Sequence, residues 1–391
     1  MRVAILTYHW VANFGANLQT FSTFNYLKKN GLSPIVINWM PKDMVRRYES
    51  WTNPVQYEAH CAFVDRELTV TRSFSDSSEL PQIIKDYSID GVIVGSDSLF
   101  NIQKPFFNVR TLRKHIPSSD HVFPNVFWGD GFYDLPHAGL SISCQNADYK
   151  KYKSQKSDIK QALERFSYIT VRDNWTRDLV SYFTDSRIVP DITPDPVFMF
   201  NANVDNPISK DEILKKYGLP ESYALFCFNK GRMAPSEKWI TILKKRFNNE
   251  GITCVSLPKS TGGAQINLDI EIPIPLDPLD WYYLIKYSSA YIGVLMHPIV
   301  VSIHNAVPFF SFDDYGMRRI NDKSSKIYHI LEKANLLDYR FSITNHIFYP
   351  DANAVFDKVM SFPKEKCTLF LQKQQVECLN NVERIVKTIS R

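Results

Sequence analysis

Short, wholly apolar runs recur along the chain and are separated by stretches whose apolar positions repeat at helical spacing. VAIL at 3–6, VIV at 92–94, YALFCF at 223–228 and FFSF at 309–312 have no polar side, as expected of parallel strands covered on both faces. The intervening stretches read differently. Leu18, Phe21, Phe24 and Leu27 share one side of a helix expected over 17–30, Lys28 and Lys29 suit its negative end, and Gly31 stops it. Further strands are expected at 33–39, 137–144, 167–173 and 252–258, with 191–200 a short strand plus the exit from the first lobe, and further helices over 148–165, 175–183, 237–249, 281–286, 323–337 and 372–390. In this reading Asp280 caps the 281–286 helix. The run 42–78 is mixed and polar, and 201–209 is polar and punctuated by Pro207. Strand and helix alternate in two series, which predicts an α/β protein of two Rossmann-like lobes. The expected division is 1–205, 206–372, and a closing segment 373–391 whose helix can cross back onto the first lobe.

The centre of this pattern is YIGVLMHPIVVSIHNAVPFFSFDD, Tyr291 to Asp314. A buried strand meets a helix at His297-Pro298, and Ile299, Val300, Ile303 and Ala306 share that helix's apolar side. Proline suits a first helical turn, so His297 is expected at or beside the N-cap. There, free amides and the positive end of the helix favour an anion and lower the pKa of an imidazole. From this segment alone the commoner reading is a helix start that binds nothing.

Two other strand ends carry polar groups where ligands gather in such sheets. DGVIVGSDSLF ends in Ser96 and Asp97, and SYITVRD ends in Arg172 and Asp173. Capping of the next helix competes with ligand binding at Ser96 and Asp97. The first loop, with Asn13, Gly15, Asn17 and Gln19, lacks the three glycines of a dinucleotide fingerprint and the lysine of a phosphate loop.

Composition narrows the partners. Forty-six basic against 41 acidic side chains leave a net charge of +5 over 391 residues, too diffuse for nucleic acid yet suited to an anionic small substrate or an acidic membrane surface. Six cysteines at 61, 144, 227, 254, 367 and 378 have no metal-type spacing, which implies reduced thiols in a cytoplasm. MRVAILTYHW reads as a first strand rather than a signal peptide, and no run is long enough to span a bilayer.

Six segments stand in one order: ILTYHWVANFGANLQTFSTFNYLKKNG, DGVIVGSDSLFN, ITVRDNWTRDLV, PDPVF, DWYYLIKYSSAYIG and HPIVVSIHNAVPFFSF. Together they resemble the polysaccharide pyruvyltransferase family, from the N-terminus to about residue 340. The resemblance implies a glycosyltransferase-B type fold with the active site between the lobes. It also implies transfer of pyruvate from phosphoenolpyruvate onto a hexose, galactose foremost, of a capsule or exopolysaccharide precursor as a 4,6-ketal. Phosphate is released, and neither metal nor redox cofactor is needed. The family's donor-binding histidine falls on His297 as general acid, and its strand-tip arginine on Arg172 as partner of the donor's carboxylate or phosphate. Met296, Lys230 and Arg232 join them on the donor side. Asn13, Gly15, Asn17, Gln19, Ser96, Asp97 and Ser143 form the acceptor wall, with Asp97 a candidate base. Two departures stand out: Leu295 replaces an arginine two residues before the histidine, and Asp173 replaces a glutamate. Lys230, Arg232, Arg318 and Arg319 are the cations expected to compensate. The acceptor would be lipid-linked or nucleotide-linked at the cytoplasmic face of a membrane. The alternatives are a nucleotide-sugar glycosyltransferase, with Asp313 or Asp314 gripping a ribose, and a non-catalytic glycan-binding protein.

Overall fold

The computed structural model describes residues 1–108, 112–145, 147–229, 234–262, 266–314, 325–343 and 349–390. Lys230, Arg232, Arg318 and Arg319 lie outside the described residues. Two six-stranded sheets, both wholly parallel, organise the chain. The strands are β1 (Arg2–Leu6), β2 (Ser33–Val36), β3 (Gly91–Asp97), β4 (Phe106–Asn108), β5 (Arg113–His115), β6 (His137–Ile142) and β7 (Tyr168–Val171). They continue with β8 (Asp191–Ile192), β9 (Tyr223–Cys227), β10 (Thr253–Ser256), β11 (Ile270–Glu271), β12 (Ala290–Gly293), β13 (Phe309–Asp313) and β14 (Arg340–Ser342). The first sheet runs β2-β1-β3-β6-β7-β8 and the second β11-β10-β9-β12-β13-β14, while β4 and β5 form a separate antiparallel hairpin. Strand order reverses between β1 and β3 in one sheet and between β9 and β12 in the other. Ligand crevices of open parallel sheets form at such reversals, beyond the carboxyl ends of the strands.

Packing joins the two sheets' layers. The helix Phe14–Lys29 carries Phe14, whose ring stacks on Trp281 of the helix Pro278–Tyr287 with centroids 5.1 Å apart. Phe21 of the same helix lies against Phe200, which in turn lies 4.0 Å from the ring of Tyr282. One apolar core therefore runs from Val3, Ile5 and Ile93 of the first sheet to Leu225 and Tyr291 of the second. The last helix, Lys364–Ile389, places Val382, Ile385 and Ile389 in that core. All six cysteines are free thiols, and no described helix is long and apolar enough to cross a membrane.

Several boundaries differ from the periodicity. The first helix begins at Phe14, because Asn13 caps it by accepting from Ala16 N at 3.3 Å. The helix expected from Asp148 is a 3-10 segment, Tyr149–Gln155, kinked at Tyr152, followed by the α-helix Lys156–Glu164. Asp277, not Asp280, caps the helix before β12, since Pro278 occupies its first turn; Asp280 is buried between Lys216 Nζ and Tyr217 Oη, each at 2.6 Å. The closing helix starts at Lys364, directly after Pro363. The run 42–78 holds two helices, Lys42–Trp51 and Pro54–Glu67.

Candidate active site between the two lobes

The helix after β12 spans Met296–His304, so His297 is its second residue and Leu295 the N-cap. Leu295 has φ 83° and ψ 143°, a backbone region that non-glycine residues avoid and that persists where surrounding structure enforces it. The bend aims His297 at the first lobe. A β-carbon on Gly15 would lie 1.9 Å from His297 Nδ1. The imidazole thus rests on the α-carbon of Gly15, a close approach that only glycine permits.

Around that ring lies a buried charged cluster. Arg172, at the tip of β7, donates from Nη1 to Asp195 Oδ2 at 2.7 Å and brings Nη2 to 3.9 Å from Asp97 Oδ1. Gln19 Nε2 donates to the same Asp195 oxygen at 2.6 Å, and His297 Nε2 lies 3.8 Å from it. The other oxygen, Oδ1, accepts from Val197 N at 3.0 Å and starts the turn Pro196–Met199. Asp195 therefore ties the first helix, β7 and the second-lobe helix to one carboxylate. Burial pushes its pKa up, but Arg172 and His297 outweigh burial and hold it below the usual range. Arg172 behaves in mirror image: burial lowers its pKa, and Asp195, Asp97 and Asp173 reverse that. His297 is lowered to about 4, with burial the leading cause and Asp195 and Asp97 opposing it. Lys326, half-buried at the start of the helix Lys326–Lys333, is lowered to about 8 by burial and by Arg172. Arg172 Nε and Nη2, His297 Nε2 and Gln19 Oε1 are buried without hydrogen-bond partners.

An open cleft of about 230 Å³ adjoins the ring. Asn13, Gly15, Trp51, Lys259, Leu295 and His297 are among the residues lining it, as is Met296. Lys259 Nζ donates to Asn229 Oδ1 at 2.5 Å. Asn13 is exposed here, whereas other residues expected on the acceptor wall are turned inward. Asn17 is buried, donating to His9 O at 2.7 Å and meeting His60 Nδ1 at 2.6 Å. Ser96 donates to Ser141 O at 2.8 Å, and Ser143 to Asp173 Oδ2 at 2.8 Å. Asp173 also caps the next helix through Thr176 N at 2.7 Å. Backbone geometry explains the inward turn: hydroxyls and amides at crowded strand ends satisfy their nearest neighbours first. Asp97 accepts from Ser98 N at 2.6 Å and is nearly buried. Asp313 and Asp314 are engaged too, the first by Arg340 Nε at 2.6 Å and Ser325 Oγ at 2.5 Å, the second by Asn229 Nδ2 at 2.6 Å.

Asp195, Lys259 and Lys326 are not among the residues the sequence singles out. Asp195 sits in the quoted PDPVF segment, where an aspartate before proline reads as a turn or a cap. It is a cap, and its second oxygen does the rest. Lys259 follows β10 at a carboxyl strand end, a position that signals a crevice once the strand order is known.

Comparison with known proteins agrees with this architecture. By sequence, none of the curated proteins matches the chain. Among solved structures, UDP-GlcNAc 2-epimerase from Neisseria meningitidis, bound to UDP-GlcNAc, superimposes with a TM-score of 0.59 at 11% identity, covering 100% of this chain and 99% of that one. A putative UDP-N-acetylglucosamine 2-epimerase from Listeria monocytogenes gives 0.58 at 10% identity, covering 99% and 96%. The spinosyn forosaminyltransferase gives 0.52 at 10% identity, covering 100% of both. At these identities the likeness establishes the fold, which is of the glycosyltransferase-B type. The family model for polysaccharide pyruvyl transferase matches residues 13–314, a span holding every described side chain of the buried cluster except Lys326. The chain belongs to the polysaccharide pyruvyl transferase family and is an enzyme of polysaccharide pyruvylation.

Proposed function

We propose that the cleft takes phosphoenolpyruvate as donor and transfers its pyruvyl group to a hexose, galactose foremost, of a lipid-linked or nucleotide-linked precursor. The product is a 4,6-ketal, and phosphate is released. The observation that carries this reading is the cluster of Arg172, His297 and Asp195, with buried donor atoms of Arg172 and His297 that have no hydrogen-bond partner among the described residues. A phosphate and a carboxylate in one small molecule need such donors.

His297 is neutral at rest, because burial holds it near 4. A donor carrying several negative charges stabilises the imidazolium, so the proton arrives with the donor rather than before it. His297 gives that proton to the terminal methylene, making a methyl group and leaving the adjacent enol carbon electron-poor. One sugar hydroxyl bonds to this carbon and loses its proton to a base, a role assigned to Asp97, whose Oδ1 lies 3.9 Å from Arg172 Nη2. The bond from carbon to the phosphate oxygen then breaks, and phosphate leaves with both electrons. The second hydroxyl closes the ketal and its proton goes to the departing phosphate or to water. Arg172 neutralises the donor's anionic groups throughout. Lys259 supplies a cation in the same cleft as Leu295, where the guanidinium found in relatives is missing. The chemistry requires neither metal nor redox cofactor.

The test is direct. Purified protein with phosphoenolpyruvate and a galactose-terminated acceptor is expected to release phosphate and to raise the acceptor's mass by that of pyruvic acid less water. No such product across a panel of hexose acceptors rejects the reading. Thermal protection by nucleoside diphosphates and none by phosphoenolpyruvate points instead to a nucleotide-sugar donor.

A further inference from the structure

We propose that the hairpin β4–β5, together with the lysine-rich turn Tyr149–Gln155, is a docking face for an anionic lipid surface. The hairpin stands outside both six-stranded sheets. Phe106 pairs with His115 and Phe107 with Lys114, so the two phenylalanines point to opposite faces of a two-stranded ribbon. Neither face is covered: Phe106 is 55% exposed and Phe107 59%. Leu112 at 74% and Ile116 at 70% add apolar side chains just before and just after the returning strand. Such side chains in water gain nothing for the fold, and several exposed apolar side chains gathered on one ribbon mark a contact with something less polar than solvent.

Charge selects the occupant. Neither residues 101–118 nor residues 149–157 contain an aspartate or glutamate. Lys104, Arg113, Lys114, Lys150, Lys151 and Lys153 are all exposed there. The two segments are joined, since Lys104 Nζ donates to Lys151 O at 2.6 Å and lies over the ring of Tyr152. Two carboxylates border the face: Asp148 pairs with Lys151 at 3.0 Å, and Asp43, in the groove behind the hairpin, accepts from Ser119 N at 2.6 Å. Aromatic and aliphatic tips flanked by lysine and arginine match the interface of a bilayer with acidic headgroups, where each basic residue contributes to attraction.

Position relates this face to the cleft. A groove of about 440 Å³ behind the hairpin is lined by Arg47, Trp51, Gln103, His115, Ile116 and Ser118 among others. Trp51 also lines the His297 cleft, and Arg47 stacks on its ring at 4.7 Å. A head group entering from the membrane therefore passes one tryptophan to reach the imidazole. Membrane docking stands apart from the donor chemistry and sharpens the proposed acceptor class to lipid-linked precursors.

The experiment uses the full chain with sedimented vesicles of phosphatidylcholine alone or mixed with phosphatidylglycerol, and neither donor nor acceptor. Binding is expected to the anionic vesicles and to weaken with salt. Arg113→Glu with Lys114→Glu lowers the bound fraction about tenfold or more, and Phe106→Ser with Phe107→Ser lowers it too, while melting temperatures stay unchanged. Absence of binding, equal binding to both vesicle types, or variants that bind as well as wild type overturns the proposal. So does a hairpin variant that dissociates a dimer on size exclusion and leaves vesicle binding intact, since the face is then a contact between copies. Because no transfer reaction is measured, a negative result here leaves the pyruvyl-transfer reading to its own test.

Discussion

Two groups of buried polar side chains meet where the lobes face each other, one confined to the first lobe and the other completed by His297 of the second, and they differ in one respect. Asn17, Ser96 and Ser143 each spend their hydrogen bonds on neighbours in the same lobe. Arg172, Gln19 and His297 converge on Asp195 and still keep buried atoms without partners. Buried polar atoms are nearly always satisfied; single atoms such as Trp128 Nε1 and Tyr283 Oη are left over elsewhere, and what sets this cluster apart is that several converge on one carboxylate. Under the proposed function, the difference separates residues that hold the strand ends together from residues that face the donor, although both look alike in the sequence.

The broadest way to break this comparison is acid, which loads both groups at once. Burial lowers His9 and His297 to about 4 and His60 and His304 to about 3, against an ordinary 6.5. Between pH about 6.5 and these values the unfolded chain binds protons that the folded chain refuses, so stability falls as pH falls through that window. Denaturant titrations from pH 8 down to 4 should show the fold lost before the lowest value; a flat profile would contradict the burial of these rings. Asp195→Ala comes next, because it strands the Arg172 guanidinium in the interior. A loss of about 3–5 kcal/mol in urea unfolding is expected, together with loss of transfer.

Gly15→Ala acts at a single contact. Its methyl group must displace the His297 ring, so activity should drop about a hundredfold or more, as for His297→Ala. Serine at position 15 should do the same, and activity surviving either change would separate the imidazole from the chemistry. The smallest effect belongs to the satisfied group. Asn17→Ala should cost roughly 1–3 kcal/mol of stability with the acceptor KM unchanged. A raised KM with full stability would return Asn17 to the acceptor wall.

How much of this was legible follows from what each signal depends on. Strands such as β3, β9 and β13 are buried on every side, so their apolar runs are unmistakable and the two-lobed α/β fold with them. His297 was legible because proline marks the first turn of its helix. The cluster's centre was not. Asp195 looks like a cap, and only the folded chain brings Gln19, Arg172 and His297 to it from three distant segments. The acceptor-wall serines show the opposite case: strand-end position suggests ligand contact, but side-chain direction, which depends on positive-φ backbone at Gly95, Asp97 and Ser141, is invisible in a residue string.

The closing helix carries a consequence for biogenesis. Ile389 lies against Gly91 at the start of β3, and Asn381 Nδ2 reaches Thr170 Oγ1 on β7 at 3.2 Å. On the ribosome, the sheet holding β3 and β7 emerges long before the helix that covers one side of it. That layer must wait with greasy flank bare while nearly half the polypeptide is still being made, a period in which chaperones have a surface to hold.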